Sequence, residues 1–145
     1  MEFRRTVTTK ASAGDAFAYL ADFTTTTEWD PGTVQTTRVS GDGGVGTEYR
    51  NVSRFLGRET ELTYVVEQLR PDALIRLRGH NKTITVHDTM TLRPQPSGGT
   101  EVTYQAEFSF SGAARVLSPV LWLPLRRLVN SAERTLREAL DRRAA

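Results

Sequence analysis

An acidic side chain within an alternating apolar segment is the first candidate for chemistry in this chain. Asp88 stands between Val86 and Met90, so it shares their predicted inward face in a strand. An unpaired buried carboxylate is costly, so Asp88 has either an acid–base or ligand-holding role with a raised pKa, or a structural partner, or it lies at a strand end that is open to water. Candidate partners are Arg76, Arg78 or a tyrosine hydroxyl, and we favour the structural interpretation.

The histidines add one weak catalytic candidate and argue against a metal site. His80 joins Asp88 as a possible acid–base residue. His87 and Asp88 are neighbours on a strand and must point to opposite faces, so two histidines and a carboxylate do not converge on a metal. Cysteine is absent, and the glycines of segment 41–44 lack the lysine and helix of a nucleotide-binding loop. We therefore expect no metal and no other cofactor.

Three tyrosines lie on predicted inward faces of the strand-like segments: Tyr49, Tyr64 and Tyr104. Buried tyrosine hydroxyls need hydrogen-bond partners. These residues are therefore either the few polar groups that orient an apolar ligand or core residues bonded to Asn51 or Ser53. Both interpretations remain open at this point.

A sheet and a long helix have to position these side chains. Glycine- and proline-rich turns separate segments of strand-like composition, which predicts an antiparallel meander. The predicted strands are Thr33–Ser40, Thr47–Phe55, Glu59–Leu69, Leu74–His80, Thr83–Arg93 and Glu101–Phe110.

The segment before the meander predicts one terminal strand and two short helices. Residues Glu2–Thr9 alternate weakly and indicate the strand. Ser12 is a candidate N-cap for a helix from about Ala13 to Asp22, and a second short helix covers Phe23 to Trp29. The Asp30-Pro31-Gly32 sequence that follows favours a type II turn.

An amphipathic helix from about Leu121 to Leu140 follows the meander. Its apolar residues recur at spacings of three and four, which indicates one buried face. They are Leu121, Leu125, Leu128, Ala132, Leu136 and Ala139. The opposite face is rich in arginine, and no aromatic residues interleave for base stacking, so we expect a solvated face and no nucleic-acid partner. An arginine-rich surface that recruits a protein remains a further alternative.

The start of this helix is unusually apolar. Ser118 and Pro119 are a plausible N-cap and first-turn pair, and Pro124 would kink the helix. The apolar residues surround the segment from Val116 to Leu125, so we expect this end to be buried against the sheet and the short helices. The alternative is a mobile gate or a lip that touches a membrane.

Length and composition are typical of one soluble domain. The 145 residues carry a net charge of +2, and no apolar run approaches the ~20 residues that span a bilayer. No apolar segment follows the charged start, so we do not expect a secretory signal. We expect a cytoplasmic protein. Transient membrane contact and any oligomeric state stay open.

The order of elements resembles the SRPBCC (START-like, Bet v 1-like) superfamily, and within it the polyketide cyclase/dehydrase and lipid-transport group. The resemblance also rests on Trp29-Asp30-Pro31-Gly32 before the meander, Gly98-Gly99-Thr100 at the last strand and Ser111-Gly112 before the closing helix. It implies an α+β helix-grip fold, in which a curved antiparallel sheet of about seven strands holds the C-terminal helix over an apolar pocket. Members bind lipids, polyketides or other hydrophobic molecules, and a minority are aromatase/cyclases.

We therefore expect a binding protein for a hydrophobic small molecule such as a lipid, polyketide or isoprenoid. The alternative is a polyketide aromatase/cyclase or dehydratase that uses acid–base residues of the pocket. Trp29 is expected at the pocket mouth, or else as a hydrophobic plug beneath the short helices. The predicted ligand-binding residues are Trp29, Tyr49, Asn51, Tyr64, Val66, Asp88, Met90, Tyr104, Phe108, Leu121, Leu125 and Leu128.

Overall fold

The computed structural model of the protein describes residues 1–144. One seven-stranded sheet has the order β1-β7-β6-β5-β4-β3-β2, and all neighbouring strands are antiparallel. Strands β2 to β7 form the predicted meander, and β1 pairs with β7. The strands are β1 (Glu2–Thr9), β2 (Thr33–Ser40), β3 (Glu48–Phe55), β4 (Arg58–Arg70), β5 (Leu74–His80), β6 (Ile84–Pro94) and β7 (Thr100–Phe110).

Two short helices follow β1, as predicted. Helix α1 (Ala13–Ala21) is capped by Ser12, whose hydroxyl accepts a hydrogen bond from the backbone N–H of Asp15 at 3.1 Å. A 3₁₀ turn (Phe23–Thr25) leads into the single turn of α2 (Thr26–Trp29). Helix α1 packs against β5 and β6 and covers part of the sheet.

The long helix α3 (Ala113–Asp141) crosses the sheet and contacts β1, β7 and α2. Four of the six residues of the predicted stripe are buried, together with Val129 and Leu140. The buried residues are Leu125, Val129, Ala132, Leu136, Ala139 and Leu140. The arginines on the opposite side are exposed, as expected for a solvated face. The architecture is the predicted helix-grip arrangement. Among residues 1–144, no helix is both long and apolar enough to cross a bilayer.

The start of α3 differs from the prediction. The helix begins at Ala113, so Ser118 is not an N-cap and both prolines lie inside the helix. Pro119 has no N–H to donate to the carbonyl of Arg115, and the Ser118 hydroxyl donates to that oxygen instead, at 2.9 Å. This local replacement explains how the helix continues through a residue that would ordinarily end it.

The predicted burial of this helix start is wrong. Val116 is 80% exposed and Val120 is 72% exposed, and Leu117, Trp122 and Leu123 are exposed as well. Apolar residues surrounded the segment in sequence, which is typical of a buried helix. In the structure, however, the buried residues of α3 begin at Leu125, and before it the partly buried Leu121 packs on the core.

The turn before the meander also differs. The N–H of Thr33 bonds to the carbonyl of Asp30 at 3.0 Å, which makes Pro31 and Gly32 its central residues. Gly32 does not have a positive φ, which a type II turn would require, so the turn is not type II. Instead the Asp30 side chain accepts a hydrogen bond from the Gly32 N–H at 3.0 Å, an Asx arrangement that fixes the position of its carboxyl group.

Candidate functional site

A cavity of about 160 Å³ lies between the sheet and the central part of α3. Four strands, the turn before β2 and the helix contribute to it. Most of its wall is apolar, and four polar side chains, Asp30, Tyr64, Asp88 and Tyr104, lie close together within it. The lining residues are Asp30, Ser53, Phe55, Thr60, Leu62, Tyr64, Ile84, Val86, Asp88, Tyr104, Phe108, Phe110, Leu121, Leu125, Leu128, Val129 and Ala132.

Asp88 and Tyr104 form the best-defined polar contact of the cavity. The Tyr104 hydroxyl donates to Oδ1 of Asp88 at 3.1 Å. Asp88 is only 4% exposed, and the hydroxyl of Tyr64 lies beside the same carboxyl group. Arg76 and Arg78 do not reach Asp88, because both pair with Glu67 at 3.5 Å. The structural partner of Asp88 is therefore a tyrosine, one of the alternatives the sequence left open.

Asp30 is a second carboxyl group in the same cavity. Its Oδ2 accepts a hydrogen bond from the Thr33 hydroxyl at 3.0 Å, and its Oδ1 accepts the Gly32 N–H. Burial raises the pKa of Asp30, and these two hydrogen bonds oppose the rise. Sequence analysis missed this residue, because Asp before Pro-Gly is ordinary turn chemistry and carries no signal of burial.

Burial governs the protonation of the polar groups. Removal from water, reinforced by the negative charge of Asp30, raises the pKa of Asp88 to about 7, although the Tyr104 and Tyr64 hydrogen bonds lower it. Burial, followed by the charge of Asp88, also raises the pKa of Tyr64 and Tyr104 well above the usual value. Both tyrosines are therefore neutral near pH 7. Asp88, with its pKa of about 7, changes between its protonated and ionised forms near that pH.

The cavity has no positive charge to compensate these carboxyl groups. Among residues 1–144, its lining includes neither arginine nor lysine nor histidine. No group of three or more histidine or acidic side chains in the same residues could hold a metal ion. The site therefore offers hydrogen-bond acceptors and a negative potential at one part of an apolar chamber.

The aromatic residues around the polar groups are held by tight packing. Trp29 lies edge-on to Tyr104, with 5.9 Å between ring centroids, and its indole N–H donates to the Thr25 hydroxyl at 3.3 Å. Phe108 is placed by Phe3, with a T-shaped contact at 6.0 Å. Aromatic contacts of this geometry restrict ring orientation, so the hydroxyl of Tyr104 has a defined direction.

Seven of the predicted ligand-binding residues line the cavity together. They come from β4, β6, β7 and α3, which are far apart in sequence but adjacent across the sheet and helix. The seven are Tyr64, Asp88, Tyr104, Phe108, Leu121, Leu125 and Leu128.

The other five predicted residues face inward but do not line the cavity. Trp29 is 2% exposed and lies behind Tyr104, so it is a core residue and not a mouth residue. Val66 and Met90 belong to the hydrophobic core, and Met90 lies on β6, against which α1 packs. Asn51 donates to the Thr36 hydroxyl at 2.9 Å, within the β2–β3 pair.

Tyr49 is separated from the cavity by Phe23. The Phe23 ring lies 5.8 Å from Tyr49 and 4.7 Å from Tyr64, between centroids. Tyr49 instead borders an open polar groove with Asp22 and Arg38. Its inward position was predicted, but alternation along β3 carried no information on where the 3₁₀ turn would insert an aromatic side chain.

Most of the remaining lining residues that belong to strands were within reach of the alternation argument. Ser53, Phe55, Leu62, Val86 and Phe110 share the inward faces already predicted for their strands. His80, the weak catalytic candidate, is not among the lining residues. It is partly buried, and its Nδ1 has no hydrogen-bond partner within residues 1–144. The acid–base candidates in the cavity are therefore Asp88 and Asp30.

Known structures share this architecture. An aromatase/cyclase, ZhuI, from a Streptomyces species matches with a TM-score of 0.83 at 16% identity, over 100% of this chain and 96% of that one. TTHA0849 from Thermus thermophilus matches with a TM-score of 0.79 at 15% identity, over 99% of this chain and 97% of that one. A START superfamily protein from Mycobacterium smegmatis matches with a TM-score of 0.67 at 13% identity, over 93% of this chain and 98% of that one. At these identities the likeness shows the fold alone.

No curated protein matches the sequence significantly. The family model described as polyketide cyclase / dehydrase and lipid transport matches residues 1–145, the whole length of the sequence. The helix-grip fold and the apolar cavity beneath α3 are the arrangement that the resemblance implied. The chain belongs to the polyketide cyclase/dehydrase and lipid-transport family.

Proposed function

We propose that the protein binds a hydrophobic small molecule in the cavity between the sheet and α3. The observation that carries this proposal is a chamber with mostly apolar walls and a few convergent polar groups, Asp30, Tyr64, Asp88 and Tyr104. Binding sites for small molecules are typically built in this way. Apolar burial would supply the affinity and the polar groups would orient the ligand.

The size of the cavity limits the ligand. Cavities of roughly 150 Å³ accept a molecule about as large as benzene, whereas pockets for drug-sized ligands have about 300–1,000 Å³. At about 160 Å³, the cavity fits a molecule with one aromatic ring or a short branched chain. A larger polyketide or lipid would require Leu121 and Leu125 to move away from the sheet.

The polar groups select the head group of the ligand. Asp88 and Asp30 present carboxylate oxygens and have no cation beside them in the cavity. A ligand hydroxyl or protonated amine can donate to these oxygens, whereas a ligand carboxylate would be repelled in a site with a low dielectric constant. The preferred ligand is therefore an apolar molecule with a hydrogen-bond donor at one end.

Three probes with one ring in common test this proposal: benzyl alcohol, benzylamine and benzoate. At pH 8, the alcohol and the amine should raise the melting temperature of the purified protein, and benzoate should not. Native mass spectrometry of the protein as purified gives a second readout, because a retained ligand would add a defined mass. The proposal is wrong if the protein carries no ligand and no molecule of a wider apolar panel raises its melting temperature.

A second candidate function is acid–base catalysis, as in a cyclase or dehydratase. It is supported by the pKa of Asp88, which burial raises to about 7 and so matches the working pH of a general acid or base. With a verified substrate, Asp88→Asn should abolish turnover and leave ligand binding intact. His80→Ala should have little effect, because His80 lies outside the cavity lining. Wild-type turnover by Asp88→Asn would exclude the catalytic assignment.

A further inference from the structure

We propose that the first half of α3 and the tip of the β3–β4 hairpin form a docking surface for an anionic lipid bilayer. The docking surface comprises Val116, Leu117, Val120, Trp122 and Leu123 of α3, Leu56 of the hairpin and the arginines that flank them. The proposal concerns the outside of the molecule, so it does not depend on which ligand occupies the cavity.

The apolar part of the docking surface is large and is concentrated on one element. Five large apolar side chains within residues 116–123 are between 44% and 80% exposed. Single exposed apolar residues are normal on soluble proteins, but a contiguous group marks an interaction site. Nothing in residues 1–144 covers these side chains.

The hairpin tip adds one more exposed apolar residue, Leu56, in an uncommon backbone conformation. Leu56 is 64% exposed and has a φ of 53°, which side chains other than glycine rarely adopt. It shares the two-residue turn with Gly57, so the strand register fixes its position. The positive φ values of Leu56 and Gly57 are those of a tight two-residue hairpin turn, which holds the large apolar side chain of Leu56 outward at the tip.

The two apolar regions border the same part of the molecule. Phe55, next to Leu56, and Leu121, between Val120 and Trp122, both line the cavity and pack on one cluster with Leu125 and Val129. Contact with a bilayer at this surface would therefore place the cavity beside the apolar phase of the membrane.

The charges of the docking surface have one dominant sign. Residues 108–132 contain Arg115, Arg126 and Arg127 and no acidic residue. Arg54 and Arg58 flank the hairpin tip, where Glu59 is paired opposite Arg54. A second carboxylate, Glu2, lies in the groove beside Trp122, where Arg4 and Arg5 outnumber it. Arginines around an exposed apolar group complement a surface of anionic lipids.

The arrangement favours a bilayer over a folded protein partner. Val116, Val120 and Leu123 recur at spacings of four and three, so they share one side of the helix, with Leu117 beside them and Trp122 on another side. An exposed apolar face bordered by arginines and a tryptophan is typical of a helix that lies in the plane of a membrane interface. The Arg126 guanidinium lies 5.4 Å from the centre of the Trp122 ring. Tryptophan and arginine together are typical of the interface between lipid head groups and acyl chains.

Vesicle flotation tests the docking surface directly. Neutral phosphatidylcholine vesicles are compared with vesicles that contain phosphatidylglycerol, and we expect binding to the anionic vesicles that weakens as salt is added. Arg126→Glu/Arg127→Glu should weaken binding by about fivefold or more for each arginine. The matched control is Arg134→Glu/Arg137→Glu, which makes the same charge change on the exposed second half of α3 and should bind nearly as wild type.

Tryptophan fluorescence provides an independent readout. The chain has two tryptophans, of which Trp29 is buried and Trp122 is 47% exposed. Anionic vesicles should shift the emission to the blue, and Trp122→Phe should abolish the shift. The triple variant Val116→Ser/Val120→Ser/Leu123→Ser should lose the shift without a change in circular dichroism.

Several outcomes would overturn the proposal. The first is that the protein binds neither kind of vesicle. The second is that the Arg134→Glu/Arg137→Glu control loses as much vesicle binding as Arg126→Glu/Arg127→Glu. The third is that the triple variant keeps the blue shift of the wild type. Light scattering must also show a monomer whose mass the triple variant does not alter. A dimer that dissociates in this variant would assign the surface to a second copy of the chain instead, and so would contradict the bilayer assignment.

Discussion

The ring of Tyr64 lies directly across the backbone of Gly79 on the neighbouring strand. The two residues pair in the β4–β5 register, and a Cβ placed on Gly79 would lie 2.6 Å from two atoms of the tyrosine ring. Gly79 is buried within β5. Because Gly79 has no side chain, the ring of Tyr64 can pass over it and reach the cavity.

Gly79→Ala should destabilise the protein by about 1–3 kcal/mol, because the added methyl group overlaps a buried ring that cannot move freely. Chemical denaturation measures the loss, and weaker binding of the aromatic probes should accompany it. Gly14→Ala is the control, since Gly14 is exposed in α1 and its nearest neighbour atom lies 3.9 Å from the new Cβ. That variant should be neutral or slightly stabilising. Equal stability of both variants would contradict the steric role of Tyr64.

Asp88→Asn should stabilise the protein above pH 7. The pKa of Asp88 is raised by burial from 3.8 to about 7, so the folded state holds a proton that the unfolded state has released between these values. The contribution of Asp88 to the free energy of unfolding is therefore most favourable below about pH 4. It decreases as the pH rises to about 7 and does not change further above that pH. The shift corresponds to a loss on the order of 4 kcal/mol, which the amide would avoid.

Urea denaturation at pH 5 and pH 8 measures this effect. The difference in unfolding free energy between Asp88→Asn and wild type should be larger at pH 8. Asp15→Asn, at the exposed first turn of α1, serves as a control for the loss of a carboxylate outside the cavity. A stability difference for Asp88→Asn that is the same at both pH values would show that the carboxyl group does not titrate between them.

Ala132→Leu should abolish ligand binding while the fold is retained. Ala132 is 6% exposed and lines the cavity from α3, so the added carbons occupy the space proposed for the ligand. The benzyl probes should no longer raise the melting temperature. Ser131→Leu adds comparable bulk on the exposed side of the same helix and should leave the response unchanged. Wild-type binding by Ala132→Leu would place the ligand elsewhere.

The first half of α3 should exchange its amide hydrogens faster than the second half. Pro119 and Pro124 each remove an intrahelical hydrogen bond, and few side chains of this half are buried. Pro124→Ala restores a donor toward the Val120 carbonyl and should raise protection over this half, with a gain of up to about 3 kcal/mol in local helix stability. Pro96→Ala, in the exposed β6–β7 loop, should not change exchange in α3. Uniform exchange along wild-type α3 would contradict this prediction.

The sequence by itself determined the order of the elements and the inward faces of most strands. Alternation is a local property, because successive side chains of a strand point to opposite faces whatever the strand packs against. It placed Tyr64, Asp88, Tyr104 and Phe108 on inward faces, and the stripe of α3 identified the face of the helix that would lie opposite them. The family resemblance then supplied the cavity as an expectation.

Only the tertiary structure decided which inward-facing residues line the cavity and which are covered by other core side chains. Phe23 closes the space beside Tyr49, and α1 covers the part of the sheet near Met90, since both are placed by contacts between distant segments. The same long-range packing brings Asp30, a turn residue, beside Asp88. It also leaves Val116 and Val120 uncovered, because whether a helix face is buried depends on what packs against it and not on its own composition.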